Sequence, residues 1–180
     1  PSDLVLYFKS IFSKSNILVN KIICSSYAKS INYKNNLNLT GHSSFIDVGF
    51  NKTSIISYFD NNILFLDILP IGGNHITKDI SKILNIDLEK SEQIKLNFDQ
   101  NHKLAIYEDF SIEKLHKIIF ARTEEILELC AKSVESNSFV SGQFKMVLMG
   151  EGSKILDNPY KDKISFSNHI DFLEETLEDI

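Results

Sequence analysis

At 180 residues the chain has the size of one domain or two tightly joined subdomains, long enough to bury roughly two thirds of its unfolded surface. Apolar residues at 43% and charged residues at 24%, with three prolines and seven glycines, exclude extensive disorder. The formal net charge of −5, with nineteen basic residues dispersed along the chain, disfavours a nucleic-acid surface.

Near the start, Leu4, Leu6, Tyr7, Ile11 and Phe12 recur at helical spacing, which predicts an amphipathic helix over 3–14 that docks on something, with Lys9 and Lys14 on its charged face. The β-branched run ILVNKIIC at 17–24 predicts a short buried strand, the following SSYAKS a helical turn, and the Asn and Lys residues between 32 and 38 a loop. Three apolar runs at 44–48, 53–59 and 63–69 then predict an antiparallel meander. Asp60-Asn61-Asn62 suits the tight turn between the last two, because Asp and Asn tolerate positive φ. The longest apolar stretch, 63–71, is interrupted by Asp67 and falls well short of the roughly 18 residues expected of a membrane span.

Gly72-Gly73-Asn74 breaks the third strand, and Asn74 is expected to cap a helix whose stripe is Ile76, Ile80, Ile83 and Leu84. A shorter helix is predicted over 87–97, and a small strand or hairpin within 98–110. Apolar residues at 112, 115, 119, 126 and 129 predict a long helix over 111–134, with Glu124, Glu125 and Glu128 on its exposed side. The run 145–149 reads as a strand that Gly150-Glu151-Gly152-Ser153 turns sharply, and the acidic tail 168–180 reads as a helix. Cys24 and Cys130 lie far apart with no CxxC and no nearby His pair, so both are expected to be buried thiols. The histidines at 42, 75, 102, 116 and 169 lack ligand spacing. The chain begins at Pro1 without Met and is expected to be a piece of something longer.

A strand ending in Asp47-Val48-Gly49, two further antiparallel strands, Gly72-Gly73, a helix, and much later a strand running into Gly150-x-Gly152 form an order that resembles the actin-like ATPase superfamily. Four segments in sequence resemble the cell-division family FtsA in particular: GGNHITKDI at 72–80, SEQIK at 91–95, ARTEEI at 121–126 and VLMGEG at 147–152. The resemblance runs from about residue 8 to 156 and implies an α/β fold, the actin-like (ribonuclease H-like) ATPase domain, with a mixed sheet whose three-stranded meander is flanked by helices. It implies the second large domain of such a protein, divided into a nucleotide half-site subdomain at about 1–71 and 140–180 and an inserted helical subdomain at about 72–139.

For chemistry, the resemblance implies that ATP with Mg²⁺ lies between two halves. Asp47 is then the catalytic carboxylate ordering a magnesium-bound water, and Gly49, Asn51, Lys52, Thr53, Gly72, Gly73, Glu92, Lys95, Gly150, Gly152 and Ser153 surround the nucleotide. Plainer roles stand beside these. Asp47 can cap a turn, Gly72 and Gly73 can serve as turn formers, and Glu92 with Lys95 can be a solvated i, i+3 ion pair. The chain departs from the family pattern where Phe50 replaces a glycine, Asn51 and Lys52 replace Gly and Thr, Ser54 replaces a second Asp and Glu151 replaces a glycine. Lys52 is either a compensating cation or a solvated turn residue.

The resemblance further implies that Arg122 and Glu125 belong to a face that receives the C-terminal tail of FtsZ, and that the protein self-associates into filaments. It implies a location at the cytoplasmic face of the inner membrane, at the division site. The acidic segment 166–180 lacks the Lys/Arg face a membrane-binding helix needs, so membrane attachment is expected through segments absent here. Weak ATPase activity at most is implied for the complete protein and none for this chain alone. The alternatives are a pilus-assembly actin homologue of the PilM type and an adaptor that has lost nucleotide.

Overall fold

A computed structural model describes residues 2–98, 111–137, 144–150, 152 and 170–173. The elements in chain order are α1 (Ser2–Ser13), α2 (Ser25–Leu37), β1 (His42–Val48), β2 (Thr53–Phe59), β3 (Asn62–Leu69), α3 (Gly73–Leu84), α4 (Leu88–Leu96), α5 (Ile112–Asn137), β4 (Phe144–Met149) and β5 (Ile170–Leu173). The strands form one mixed sheet in the order β3-β2-β1-β4-β5. The meander β1-β2-β3 is antiparallel as expected, whereas β4 and β5 join it in parallel. The hairpin turn between β2 and β3 places Asp60 at φ 50, which a short polar side chain tolerates.

Side chains of β1, β2 and β4 alternate between two helical layers. Ile46 and Val48 of β1, Ile55 of β2 and Met146 and Leu148 of β4 face one way, into a core completed by Ile76 and Ile80 of α3, Ile94 of α4 and Leu115, Ile119 and Ile126 of α5. Phe45, Ile56, Tyr58, Val147 and Met149 face the other way, against Tyr27, Tyr33 and Leu37 of α2 and against Leu39. Burial of both faces explains why these central strands read as continuous apolar runs.

The loop expected between 32 and 38 is the second half of α2, a helix of 13 residues. Its inward stripe is polar. Ser26, Ser30 and Lys34 recur every fourth residue and are buried. Ser30 shares a hydrogen bond with the Tyr58 hydroxyl at 2.8 Å, and Lys34 donates to Asn61 at 2.6 Å.

The run 17–24 is not a strand: it pairs with no described strand, and Leu18 is 86% exposed. β propensity describes fit to a half-buried pleated surface, and here no neighbouring strand supplies one. α1 forms as expected, but its apolar residues Leu4, Leu6, Tyr7 and Phe12 are exposed, without the expected docking among the described residues.

Asn74 is not the cap of α3. That position is Gly72, whose N–H donates to His75 Nδ1 at 3.2 Å. Cys24 is exposed, contrary to expectation, whereas Cys130 is buried and its thiol is pushed up to about 12, first by burial and then by the charge of Asp67. Within the acidic tail, residues 170–173 form β5 and not a helix. The strand or hairpin expected at 98–110 lies almost wholly outside the described residues, as does the rest of the tail.

Candidate functional site

Parallel pairing of β1 and β4 sets Asp47 beside Met149, so the turns that follow the two strands emerge at the same sheet edge. Gly150, at φ +86, passes so close to Asp47 that a side-chain carbon there would collide with Oδ1. A carbon on Gly152 would likewise strike the Val48 carbonyl. The Asp47–Gly49 turn and the Gly150–Gly152 turn therefore form one surface, built from residues about a hundred positions apart in sequence.

The turn after β1 is closed by a hydrogen bond from the Gly49 N–H to the Lys52 carbonyl at 3.0 Å. α3 begins directly against it. Gly73 N–H donates to the Gly49 carbonyl at 3.0 Å and Asn74 N–H to the Phe50 carbonyl at 2.7 Å, while the Asn74 side chain donates to Asn51 at 2.9 Å. Two N-terminal amides of α3 are thus occupied by the turn. Gly72 is required for that approach, because a side-chain carbon would overlap the Gly49 carbonyl. Gly72 and Gly73 hold the turn in place by packing.

Between the turn and α2 lies an open cleft of ≈ 610 Å³ lined by Ser25, Ser26, Lys29, Asp47, Val48, Gly49, Phe50, Asn51, Lys52, Ser54, Gly73, Glu92, Lys95, Leu96 and Gly152. Most of the residues singled out in the sequence converge here. Thr53 does not: it is fully buried on the opposite face of β2, and its hydroxyl donates to the Ile71 carbonyl at 2.8 Å. Its neighbour Ser54 lines the cleft instead. Ser153 and Glu151 lie outside the described residues.

Sequence reasoning missed two residues of α2. Ser26 Oγ donates to Asp47 Oδ2 at 2.6 Å, and Lys29 Nζ reaches both carboxylate oxygens at 3.1 and 3.3 Å. The four-residue recurrence of Ser26, Ser30 and Lys34 was the signal available for this helix, and it marks a polar face that no apolar periodicity search detects.

On the far bank Lys95, with a side chain only 4% exposed, donates to Glu92 at 2.6 Å, to Thr77 at 2.9 Å and to the Gly73 carbonyl at 3.2 Å, with the Phe50 ring 5.8 Å from its ammonium. Thr77 also donates to Glu92. Glu92 and Lys95 are therefore more than a solvated pair, since together they pin α4 to the first turns of α3. Burial alone would raise the Glu92 carboxyl, but hydrogen bonds from Lys95 and Thr77 and the Lys95 charge outweigh it and hold the group below its ordinary 4.5. A depressed carboxyl stabilises the fold above the unfolded value, and that contribution disappears as pH falls through the folded one. We expect Glu92→Gln to flatten part of the drop in thermal midpoint as pH falls through and below 4.5; a drop of unchanged size in the variant refutes this coupling.

A second groove of ≈ 460 Å³ is lined by Asp79, Ile83, Lys114, Lys117, Ile118, Ala121, Arg122 and Glu125. Arg122 Nε donates to Asp79 Oδ2 at 2.6 Å and its Nη1 to Glu125. The guanidinium is raised above its ordinary value chiefly by the hydrogen bond to Asp79. Among the described residues no helix is long and apolar enough to cross a membrane, and no three His, Cys, Asp or Glu residues cluster as metal ligands would.

This sheet order, with glycine turns meeting at one edge and helices on both faces, is the fold of actin-like proteins. The structure superposes on the PilM–PilN type IV pilus biogenesis complex with a TM-score of 0.63 at 16% identity, covering 87% of this chain and 43% of that one. It superposes on Ta0583, an archaeal actin homolog solved in complex with ADP, with a TM-score of 0.52 at 16% identity, covering 83% and 50%. The chain belongs to the cell division protein FtsA family, whose model matches residues 44–137. The FtsA of Streptococcus pneumoniae serotype 2 (strain D39 / NCTC 7466) is 26% identical over 170 residues, which cover 87% of this chain and 37% of that protein. The chain thus spans little more than a third of that relative's length.

Proposed function

We propose that this chain is the second large domain of a cell-division actin homologue, forming one wall of an ATP cleft and presenting a docking face for the C-terminal tail of FtsZ. The observation that carries the first part is the convergence of Asp47, Gly49 and Gly152 on one cleft beside the Gly150 turn. Residues 1–71 and 140–180 then form the half-site subdomain, and 72–139 the inserted helical one. An actin homolog of the same fold solved with ADP supports nucleotide as the occupant. The cleft walls carry Lys29, Lys52 and Lys95 against Asp47 and Glu92, an excess of positive charge in a chain of net charge −5. That balance suits a polyphosphate. The complete protein hydrolyses slowly at most, assembles into filaments and acts at the cytoplasmic face of the inner membrane, where it gathers FtsZ.

Mg²⁺ does not fit beside Asp47 as its side chains stand. Both carboxylate oxygens are already met by Ser26 and by the Lys29 ammonium, so an ordered metal-bound water would have to displace a cation already in place.

The groove between α3 and α5 supports the docking role. Lys114, Lys117 and Arg122 frame the apolar side chains of Ile83 and Ile118, a pattern that receives an acidic peptide with apolar anchors. Reversing the charge of Arg122 would set a new carboxylate beside Asp79 and Glu125, so the cleaner variant is Arg122→Met. Its expected effect is about tenfold weaker binding of an FtsZ-tail peptide, measured by fluorescence anisotropy, in a variant that stays folded but has a lower thermal midpoint because Asp79 loses its cation. An unaltered titration curve would remove Arg122 from the docking surface.

A further inference from the structure

Asp47 is held by an unusual partner for a carboxylate at the lip of a phosphate cleft. It is 8% exposed, and the ammonium of Lys29 lies on both of its oxygens. Ser26 and Lys29, three residues apart near the start of α2, reach the same carboxylate, so the helix delivers a hydroxyl and a cation together. The Lys29 side chain is 46% exposed and lines the cleft, whereas Lys95 is buried and bonded to Glu92, Thr77 and Gly73. An ammonium has three hydrogens, and contact with one carboxylate leaves at least one for a further acceptor. The Gly150 turn passes within reach: a side-chain carbon there would lie 3.6 Å from Lys29 Nζ.

A carboxylate facing polyphosphate repels it unless a cation stands between them. A divalent metal is one solution and a fixed ammonium is another. We infer that Lys29 is the built-in counter-ion of Asp47, standing where a metal would otherwise bridge that carboxylate to phosphate, so that this half-site accepts a nucleoside diphosphate or triphosphate without Mg²⁺. The inference rests on the nucleotide reading above and adds to it a specific residue and the loss of a metal requirement. Lys29 acts as a ligand-binding and positioning residue, with Ser26 setting the carboxylate plane.

The test is an NMR titration of the chain with ADP up to millimolar concentration, once with EDTA and once with Mg²⁺, followed through the amides of Gly49 and Gly150. Affinities for the unsubstituted chain should agree within about threefold in the two conditions. Lys29→Met should bind about tenfold more weakly in EDTA and recover in Mg²⁺, and Lys29→Arg should keep metal-free binding. A gain of about tenfold or more on adding Mg²⁺ to the unsubstituted chain, or no loss in Lys29→Met, overturns the inference. Absence of any ADP response sinks the nucleotide reading itself. A second arm needs no nucleotide: Mn²⁺ alone should broaden the Asp47 and Gly150 amides in Lys29→Met and leave them sharp in the unsubstituted chain. Equal broadening in both chains overturns the counter-ion role whatever ADP does.

Discussion

Gly150→Ala should lower the stability of the chain by about 3 kcal/mol and scatter the cleft, and Gly41→Ala gives the scale for that loss. Both glycines have positive φ, +86 and +76, so both substitutions place an L side chain in a left-handed conformation. That strain alone costs about 1 kcal/mol. The new carbon at 41 meets nothing within 4 Å, whereas at 150 it collides with Asp47 Oδ1. Neither backbone can retreat easily, because Asp47 pairs with Met149 across β1 and β4 and with Ser54 across β1 and β2. The carboxylate must therefore rotate away from Ser26 and Lys29, and losing charge-assisted hydrogen bonds adds about 2 kcal/mol. Urea unfolding of the two variants measures the difference directly. Equal losses in both would show that the Asp47 carboxylate is not confined by the Gly150 turn.

What could be read in the sequence follows from which surfaces are apolar. α3 and α5 each bury an apolar stripe whose spacing of three to four residues survives in the sequence, and β2, buried on both faces, survives as a short apolar run. α2 buries Ser26, Ser30 and Lys34 against Asp47, Tyr58 and Asn61, so its partners lie elsewhere in the chain and its own hydropathy has no helical period. β5 and the run 17–24 failed for the opposite reason. A strand exists only when another strand accepts its hydrogen bonds; residues 170–173 have β4, and 17–24 have no such neighbour among the described residues.

The site divides along the same line. That the Asp47 and Gly150 turns share an edge was legible through the resemblance, which sets both beside one nucleotide; the parallel pairing of β1 and β4 is the physical cause. Which neighbouring side chains enter the cleft depends on strand parity, where a shift of one residue exchanges the faces. Asp47 pairs with Ser54, and both open toward the α2 side with Phe45 and Ile56; Thr53, one residue earlier, turns into the opposite core. The plainer reading of Lys95 as half of a solvated pair fails by a different effect, since a lysine in a nine-residue polar helix reads as solvated until α3 is packed over it.

That packing makes Lys95→Met the second large effect. Methionine matches the length of the lysine stem, so the core volume is nearly kept and the loss reports the ammonium. Its removal takes one donor from the Thr77 hydroxyl and one from the Gly73 carbonyl, which keeps the Thr77 hydroxyl at 3.3 Å, and leaves the Glu92 carboxylate without its cation. Breaking a buried pair from one side costs about 3–5 kcal/mol, and Glu92, 29% exposed, regains some water, which puts the expected loss near the lower end at about 3 kcal/mol. For a chain of this size that is a fall of about 10 °C in thermal midpoint. If the loss comes from the stranded carboxylate, then Lys95→Met with Glu92→Gln should recover about half of it, since a neutral amide is cheaper to leave unpaired. Hydrogen exchange across α4 should quicken in the single variant and slow again in the double one, because this network pins α4 to the start of α3. The same α3 start carries the amides that bind the Gly49 and Phe50 carbonyls, so the Gly49 amide resonance should move as well. A single variant that loses less than about 1 kcal/mol, with Gly49 unmoved, would mean that the far bank of the cleft is held by the apolar contacts of Ile94 alone.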